Sequence, residues 1–318
     1  MKYALAIAAV AASTALSSAT SITGPQTVPS ISSTTTFATV MVDGLKIFYR
    51  EAGPKDAPTI LLLHGYPSSS RMFTTLIPLL ADRYHLIAPD YPGFGESDAP
   101  AASQFDYSFD HPAHVVDEFT QQLGLTSYVL YQQDYGGPIG MRLAVAHPER
   151  VKAIIVQNAV SHEDGLGPAW DIRRAFWKDR LAYEDKVIPG FTSLEGAKLR
   201  HIGSSPNPNR YDPEMWQWEA AHLSQPGQRQ IQSDLFFSYQ TNVAAYKSWQ
   251  AWLRSHHPHL LVLWGKYDPS FAQAEAQAYL REVPDAEVHL LDAGHFALDE
   301  KVDEAATLIR NFLSKRKI

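Results

Sequence analysis

The stretch that most constrains this chain is Ser127-Tyr-Val-Leu-Tyr-Gln-Gln-Asp134-Tyr-Gly-Gly-Pro-Ile-Gly-Met-Arg142. Its first half opens as an apolar, β-branched and aromatic run, the pattern of a strand buried on both faces. Its second half turns at Gly136-Gly137 and continues as Pro138-Ile-Gly-Met-Arg-Leu-Ala-Val-Ala146, an apolar helical pattern with Pro near its first turn. A strand that turns sharply into a helix lifts the side chain at the turn out of the sheet. It also aims the first free helix N–H groups at whatever that side chain meets. One ionisable residue, Asp134, stands at that turn.

The rest of the chain repeats this alternation. Ala38–Val42 and Leu45–Arg50 read as two strands around an Asp43-Gly44 hairpin turn. Thr59–Leu63 is a buried strand ending in His64-Gly-Tyr-Pro67, Arg71–Ala81 carries a helical apolar period, and His85–Pro89 is another strand. Asp110–Leu123 is an amphipathic helix with Val115, Val116, Phe119 and Leu123 on one stripe. The Asp134 strand and its helix follow, then a sixth strand, Val151–Val156. Strands alternating with helices specify an α/β fold, a mostly parallel sheet with helices on both faces. The alternation stops over residues 161–246, where helical patterns, turn signals and Trp170, Trp177, Trp216 and Trp218 occur without strands. This segment is expected to be a helical cap inserted after the sixth strand, over the carboxyl ends of the strands. The core, residues 37–160 and 247–318, then resumes with the strand Leu260–Trp264, a helix over Phe271–Glu282, the strand Glu287–Leu291 and a last helix, Glu300–Leu313.

Composition narrows the function. A net charge of −7 over 318 residues leaves no basic surplus to replace phosphate counterions, so a nucleic-acid partner is not expected. With no Cys there is no thiolate nucleophile and no Cys-based metal site, and the thirteen His show no metal-binding spacing. Residues 1–19 have the form of a secretory signal: Lys2, an apolar stretch from Tyr3 to Ala12, and small residues at Ser17-Ser-Ala19. That stretch is short of the roughly 20 residues a bilayer span needs. Secretion without stable membrane insertion is the expectation, with a Ser/Thr/Pro-rich leader over 20–36.

Four chemistry-bearing pieces fall at strand ends, where open α/β sheets bind their ligands. They are His64-Gly-Tyr-Pro67, Asp134, Asp268 in Trp264-Gly-Lys-Tyr-Asp268-Pro, and His295 in Asp292-Ala-Gly-His295-Phe. Singly each is weak, because an Asp there is commonly a turn former and a lone His is commonly structural. The chain order nucleophile, acid, histidine is that of an α/β-hydrolase triad. On these residues the chain from Phe37 to Leu313 resembles an α/β-hydrolase-fold enzyme of the epoxide hydrolase and haloalkane dehalogenase branch. Gln133-Asp134-Tyr-Gly-Gly-Pro-Ile-Gly is similar to that branch's nucleophile turn, His64-Gly-Tyr-Pro67 to its oxyanion motif, and Gly294-His295-Phe to its histidine motif. One departure is Gln132, where the general Gly-x-Ser-x-Gly elbow has a small residue.

A carboxylate at the elbow can displace a leaving group from an sp³ carbon, whereas an activated Ser attacks a carbonyl. The expected product is an ester of Asp134, cleaved by water that His295 activates while Asp268 holds the imidazole. The oxyanion would meet the backbone N–H of Tyr135 and, by the resemblance, of Tyr66. No cofactor or metal is required.

The resemblance leaves the leaving group open. The branch's dehalogenases have Trp just after the nucleophile, and some have Asn in the His-Gly-x-Pro motif, where this chain has Tyr135 and Tyr66. Epoxide hydrolases use cap tyrosines on the ring oxygen. Phe236-Phe-Ser-Tyr239-Gln-Thr-Asn242 resembles a region carrying one of them, which makes Tyr239 the first candidate and Tyr183, in no clear motif, the second. The expected partners are a small apolar organic substrate and water; the oligomeric state is not readable. Epoxide hydrolysis to a diol is therefore the first expectation and haloalkane or haloacid dehalogenation the alternative. Ester or lactone hydrolysis and non-catalytic binding on the same scaffold remain behind them.

Overall fold

The computed structural model describes residues 34–318. The expected signal segment, 1–19, and residues 20–33 of the leader lie outside the described residues. Chain order is β1 (Thr36–Val42), β2 (Leu45–Ala52), β3 (Thr59–Leu63), α1 (Ile77–Leu80), β4 (His85–Pro89), α2 (Asp110–Gln122), β5 (Tyr128–Gln133), α3 (Gly136–Ala146) and β6 (Val151–Gln157). Five helices follow without a strand: α4 (Asp171–Lys178), α5 (Arg180–Phe191), α6 (Leu194–Ile202), α7 (Pro213–Leu223) and α8 (Gln228–His256). The chain ends with β7 (Leu260–Gly265), α9 (Ala274–Glu282), β8 (Glu287–Leu291) and α10 (Leu298–Lys315).

The eight strands form one sheet in the order β1-β2-β4-β3-β5-β6-β7-β8. β1 and β2 pair antiparallel across the Asp43-Gly44 turn, where both residues have positive φ (49° and 78°), as a two-residue hairpin of this twist needs. β2 is also antiparallel to β4, and every pair from β4 to β8 is parallel. Alternate residues of the central strands feed two separate cores. Ile60, Leu62, Val129, Tyr131, Ile155, Leu261 and Leu263 pack against Leu80, Ile309 and Phe312 of α1 and α10. Leu61, Leu63, Leu130, Ile154, Val156, Val262 and Trp264 pack against Val115, Phe119, Ile139 and Leu143 of α2 and α3. Burial on both faces explains why these strands read as continuous apolar runs.

Two local readings change. The segment Arg71–Ala81 is a 3₁₀ turn at Ser70–Phe73 followed by the single turn of α1, with Pro78 fixing its start. The expected end of the inserted segment, residue 246, falls inside α8, which continues unbroken to His256. The first part of α8 packs beside α4 and α5, and the helix also packs on α3 and α9, so one rod spans the insertion and the sheet layer. Among the described residues no helix is long and apolar enough to cross a membrane.

Candidate active site

The turn between β5 and α3 holds Asp134 in the left-handed region, at φ +46°, a conformation costly for a residue with a Cβ and found where structure around it dictates it. The following Gly136 lies so close to the Leu63 carbonyl of β3 that a Cβ there would collide with backbone. The large Gln132 fits because Gly140, one turn into α3, leaves room for its side-chain amide. The turn raises the Asp134 carboxylate, 7 % exposed, above the sheet. Its Oδ1 accepts the Tyr66 backbone N–H at 2.8 Å, and the Tyr135 N–H also donates to this carboxylate. Its Oδ2 lies 3.7 Å from His295 Nε2, close enough for one water beside the gap to touch both.

His295 is fully buried and presents Nδ1 to Asp268 Oδ2 at 2.8 Å. Asp268 is held in turn: Oδ2 accepts from Asn158 Nδ2 (2.7 Å), and Oδ1 from the backbone N–H of Ser270 (2.6 Å) and Phe271 (3.1 Å). Asn158, at φ +43° just past β6, is locked to β7 by donating to the Gly265 carbonyl and accepting its N–H. It orients the acid without being one. Gln133 Nε2 approaches His295 Nε2 at 3.0 Å, and this contact fits the Nδ1–H tautomer that Asp268 selects.

Burial pulls His295 down, but the charge and hydrogen bond of Asp268, with Asp134 adding, hold its pKa above the ordinary 6.5. Burial raises Asp134 above the usual carboxylate value, and His295, the Tyr66 and Tyr135 amides and Arg200 offset only part of that. The arrangement is a poised carboxylate with two backbone N–H donors, Tyr66 on Oδ1, and an oriented imidazole beside Oδ2. Among the described residues no group of His, Asp or Glu is placed to hold a metal ion.

Residues 58–302 match the α/β-hydrolase-fold family. The chain belongs to the α/β-hydrolase family. An uncharacterized hydrolase of Saccharomyces cerevisiae is 38% identical over 264 residues, covering 82% of this chain and 90% of its own. A haloalkane dehalogenase of Mycobacterium marinum is 30% identical over 279 residues, covering 83% and 88%. The ligand-free epoxide hydrolase CorEH superposes with a TM-score of 0.72, covering 89% of this chain and 99% of its own, at 19% identity, a likeness of fold. Within the family this α/β-hydrolase has haloalkane dehalogenases among its relatives, and it is an enzyme of the α/β-hydrolase type.

The inserted helices bring further groups to this α/β-hydrolase's Asp134. Tyr239 of α8 is buried, its ring 6.0 Å from that of Tyr135 and 4.9 Å from that of Trp170. Burial, then Tyr246 and Asp134, drive its hydroxyl well above the ordinary tyrosine pKa, so it is held protonated. Tyr183 does not join it. That ring is half-buried at the edge of a separate cluster formed by Phe176, Ile188 and Phe236, with Lys186 Nζ 4.4 Å from its centroid. The apolar faces of α4, α5 and α8 need covering, and Tyr183 covers part of them.

Three groups escaped sequence reasoning. The Tyr135 hydroxyl is buried without a hydrogen-bond partner, although only the residue's amide was expected to matter. Arg173 of α4 lies over the Trp170 ring at 4.4 Å. Arg200 of α6 lies over the rings of Tyr66 (4.7 Å) and Phe191 (4.5 Å). Both guanidiniums act electrostatically on Asp134. No motif surrounds either arginine.

Proposed function

We propose that this α/β-hydrolase opens an epoxide to a diol through an Asp134 ester, with α4–α8 serving as a cap over the carboxylate. The observation that carries the choice of leaving group is which donors remain free near Asp134. The indole N–H groups of Trp170 and Trp177, whose rings pack on Tyr239, are spent on the carbonyls of Ser270 (2.7 Å) and Phe236 (2.9 Å). The hydroxyl of Tyr66 is likewise spent, on the Phe191 carbonyl at 2.7 Å. The Tyr135 hydroxyl is buried and unpartnered, and the Tyr239 ring lies 6.0 Å from the Tyr135 ring, its hydroxyl interacting with that of Tyr246 rather than with a backbone carbonyl. Protonated phenols suit a departing alkoxide, which needs a proton as the ring opens.

In the first step Asp134 Oδ2 bonds to a ring carbon as that carbon's bond to the epoxide oxygen breaks. The oxygen takes the electron pair and the proton of Tyr239. In the second, water gives a proton to His295 Nε2 while its oxygen adds to the Asp134 carboxyl carbon, and the oxyanion sits on the Tyr66 and Tyr135 amides. Collapse breaks the ester bond, the diol oxygen takes the proton from His295, and the Asp134 carboxylic acid returns its proton to Tyr239.

Dehalogenation is the second reading. The haloalkane dehalogenase relative favours it, as do the guanidinium N–H groups of Arg173 and Arg200, which can hold a halide. The wild-type enzyme should form diols from a panel of neutral and carboxylate-bearing epoxides and release no bromide from the corresponding bromoalkanes; bromide without diol reverses the choice. In His295→Gln, mass spectrometry of the Asp134 peptide should find the substrate ester. An unmodified peptide under conditions where the wild type turns over would refute the covalent route.

A further inference from the structure

A cavity of about 240 Å³ opens between α4, α5, α6 and the loop after β7. Arg173, Lys186, Phe191, Arg200, Pro269 and Ser270 are among its walls, and the last two directly follow the acid Asp268. Its lining contains three cations and no Asp or Glu, in a chain whose net charge is −7. Neighbouring arginines are neutralised: Arg174 pairs with Asp171, and Arg180 with Glu184 and Asp234. Arg173 and Arg200 instead have aromatic faces, and Arg200 has one backbone carbonyl, that of Phe191 at 3.3 Å. Among the described residues neither is in an ion pair with a carboxylate.

Placing two guanidiniums together is costly. Burial and then the charge of Arg200 pull Arg173 down to about 10, so it remains charged at neutral pH. Stacking on Trp170, Tyr66 and Phe191 holds both planes without using up their N–H edges. A fixed guanidinium with free N–H edges is the usual partner of a planar two-oxygen anion. Asp134 offsets one of these charges only until it is esterified, and thereafter the two cations face a neutral ester.

We infer that the substrate carries a carboxylate that enters through this cavity and is gripped by Arg173 and Arg200 while its reactive carbon meets Asp134. This rests on the Asp134 reading of the site and adds the substrate's class to it. The carboxylate is a spectator: no bond to it forms or breaks. A cavity of this size is below the range of about 300–1,000 Å³ usual for drug-sized ligands, so the acid is a small one. Convergent cations at the mouth would also raise the local concentration of an anion and its rate of entry, an effect that salt screens.

The test uses unreactive probes, so it does not depend on turnover. In titration calorimetry, butanoate should bind the wild-type enzyme at least tenfold more tightly than butanamide, with an advantage that shrinks as salt is added. Arg173→Met and Arg200→Met, checked for folding by circular dichroism, should bring the two probes within twofold, while Arg200→Lys should keep part of the preference. Equal binding of the two probes by the wild type would overturn the inference, as would folded Met variants that keep the preference. Bromide displacing butanoate at equal or lower concentration would do the same, because the cradle would then serve a departing halide. Ester formation on Asp134 in His295→Gln with a neutral epoxide is read separately. Its absence would remove the reaction scheme and leave the anion site standing.

Discussion

The crest of the sheet and the helices inserted between β6 and β7 contribute to the same site by different physics. At the crest the groups are fixed by short hydrogen bonds to backbone and to neighbouring side chains. Asp134 sits on a turn whose conformation the strand and helix dictate, and Asp268 takes two of its four hydrogen bonds from the N–H groups of its own loop. The inserted helices place Tyr239, Arg173 and Arg200 through ring contacts and long side chains, with few directional bonds. In the proposed reaction the crest supplies the carboxylate and the imidazole, held to hydrogen-bond precision. The inserted helices supply the phenol of Tyr239 and the two guanidiniums, held mainly by packing.

Between them stands a clamp. His201 at the end of α6 is fully buried, with Nε2 2.9 Å from Glu219 of α7 and Nδ1 2.6 Å from Asp299 of α10, and its ring stacks on Phe296, the neighbour of His295. Burial works against the charged ring, but Glu219 and Asp299 raise it to about 10. This one residue ties α6 and α7 to α10 beside His295.

The division predicts a graded series. Asp134→Ala should abolish turnover, assayed as product formed in excess of enzyme, because no other group at the crest can take its place. His295→Gln should slow ester hydrolysis by about 10²–10⁴, the usual contribution of a positioned base, and leave ester formation far less affected. Rapid-quench measurement of the two steps separates them. Lowering the pH should mimic that variant in the wild type: as pH falls through the raised pKa of His295 the imidazole takes a proton and the ester accumulates. Ester that clears equally fast at acid pH would remove His295 as the base.

Breaking the clamp comes next. His201→Leu leaves the buried Glu219 and the partly buried Asp299 without their cation and should cost roughly 3–5 kcal/mol in urea unfolding. Since the folded pKa of His201 lies above its ordinary 6.5, its contribution is whole below that pH and drains as pH rises toward about 10. The gap in stability between wild type and variant should narrow over that window. Tyr239→Phe should reduce ester formation by roughly 10- to 100-fold, as expected for losing one hydrogen bond to a charged oxygen. Tyr183→Phe should change turnover less than about twofold, since its ring packs and its hydroxyl is assigned no part in the reaction. A large effect at Tyr183, or none at Tyr239, would reverse the assignment of the two tyrosines.

The same division explains how much was legible in the sequence. Asp134, Asp268 and His295 follow apolar strands, and strand-end placement is a local property that chain order exposes. The Asp43-Gly44 turn and the burial of β3 and β5 are readable for the same reason. Arg173 and Arg200 belong to amphipathic helices whose pattern says only that one face is polar. Their meeting in one cavity depends on how α4 and α6 pack, which no short-range pattern records. Asn158 stands just past β6, and its hold on Asp268 depends on the pairing of β6 with β7, which is not a local property. Tyr183 and Tyr239 lie on different helices, α5 and α8, and residue 246 falls inside α8, which packs against α4 and α5 as well as α3 and α9.

The most direct test follows the oxygen of water through a single turnover. With the enzyme in excess over an epoxide in H₂¹⁸O, the covalent route predicts a product that carries unlabelled oxygen from Asp134 and an Asp134 peptide heavier by one ¹⁸O. A labelled diol in that first turnover, with the Asp134 peptide unchanged, would mean that water attacks the substrate directly and that Asp134 is not the nucleophile.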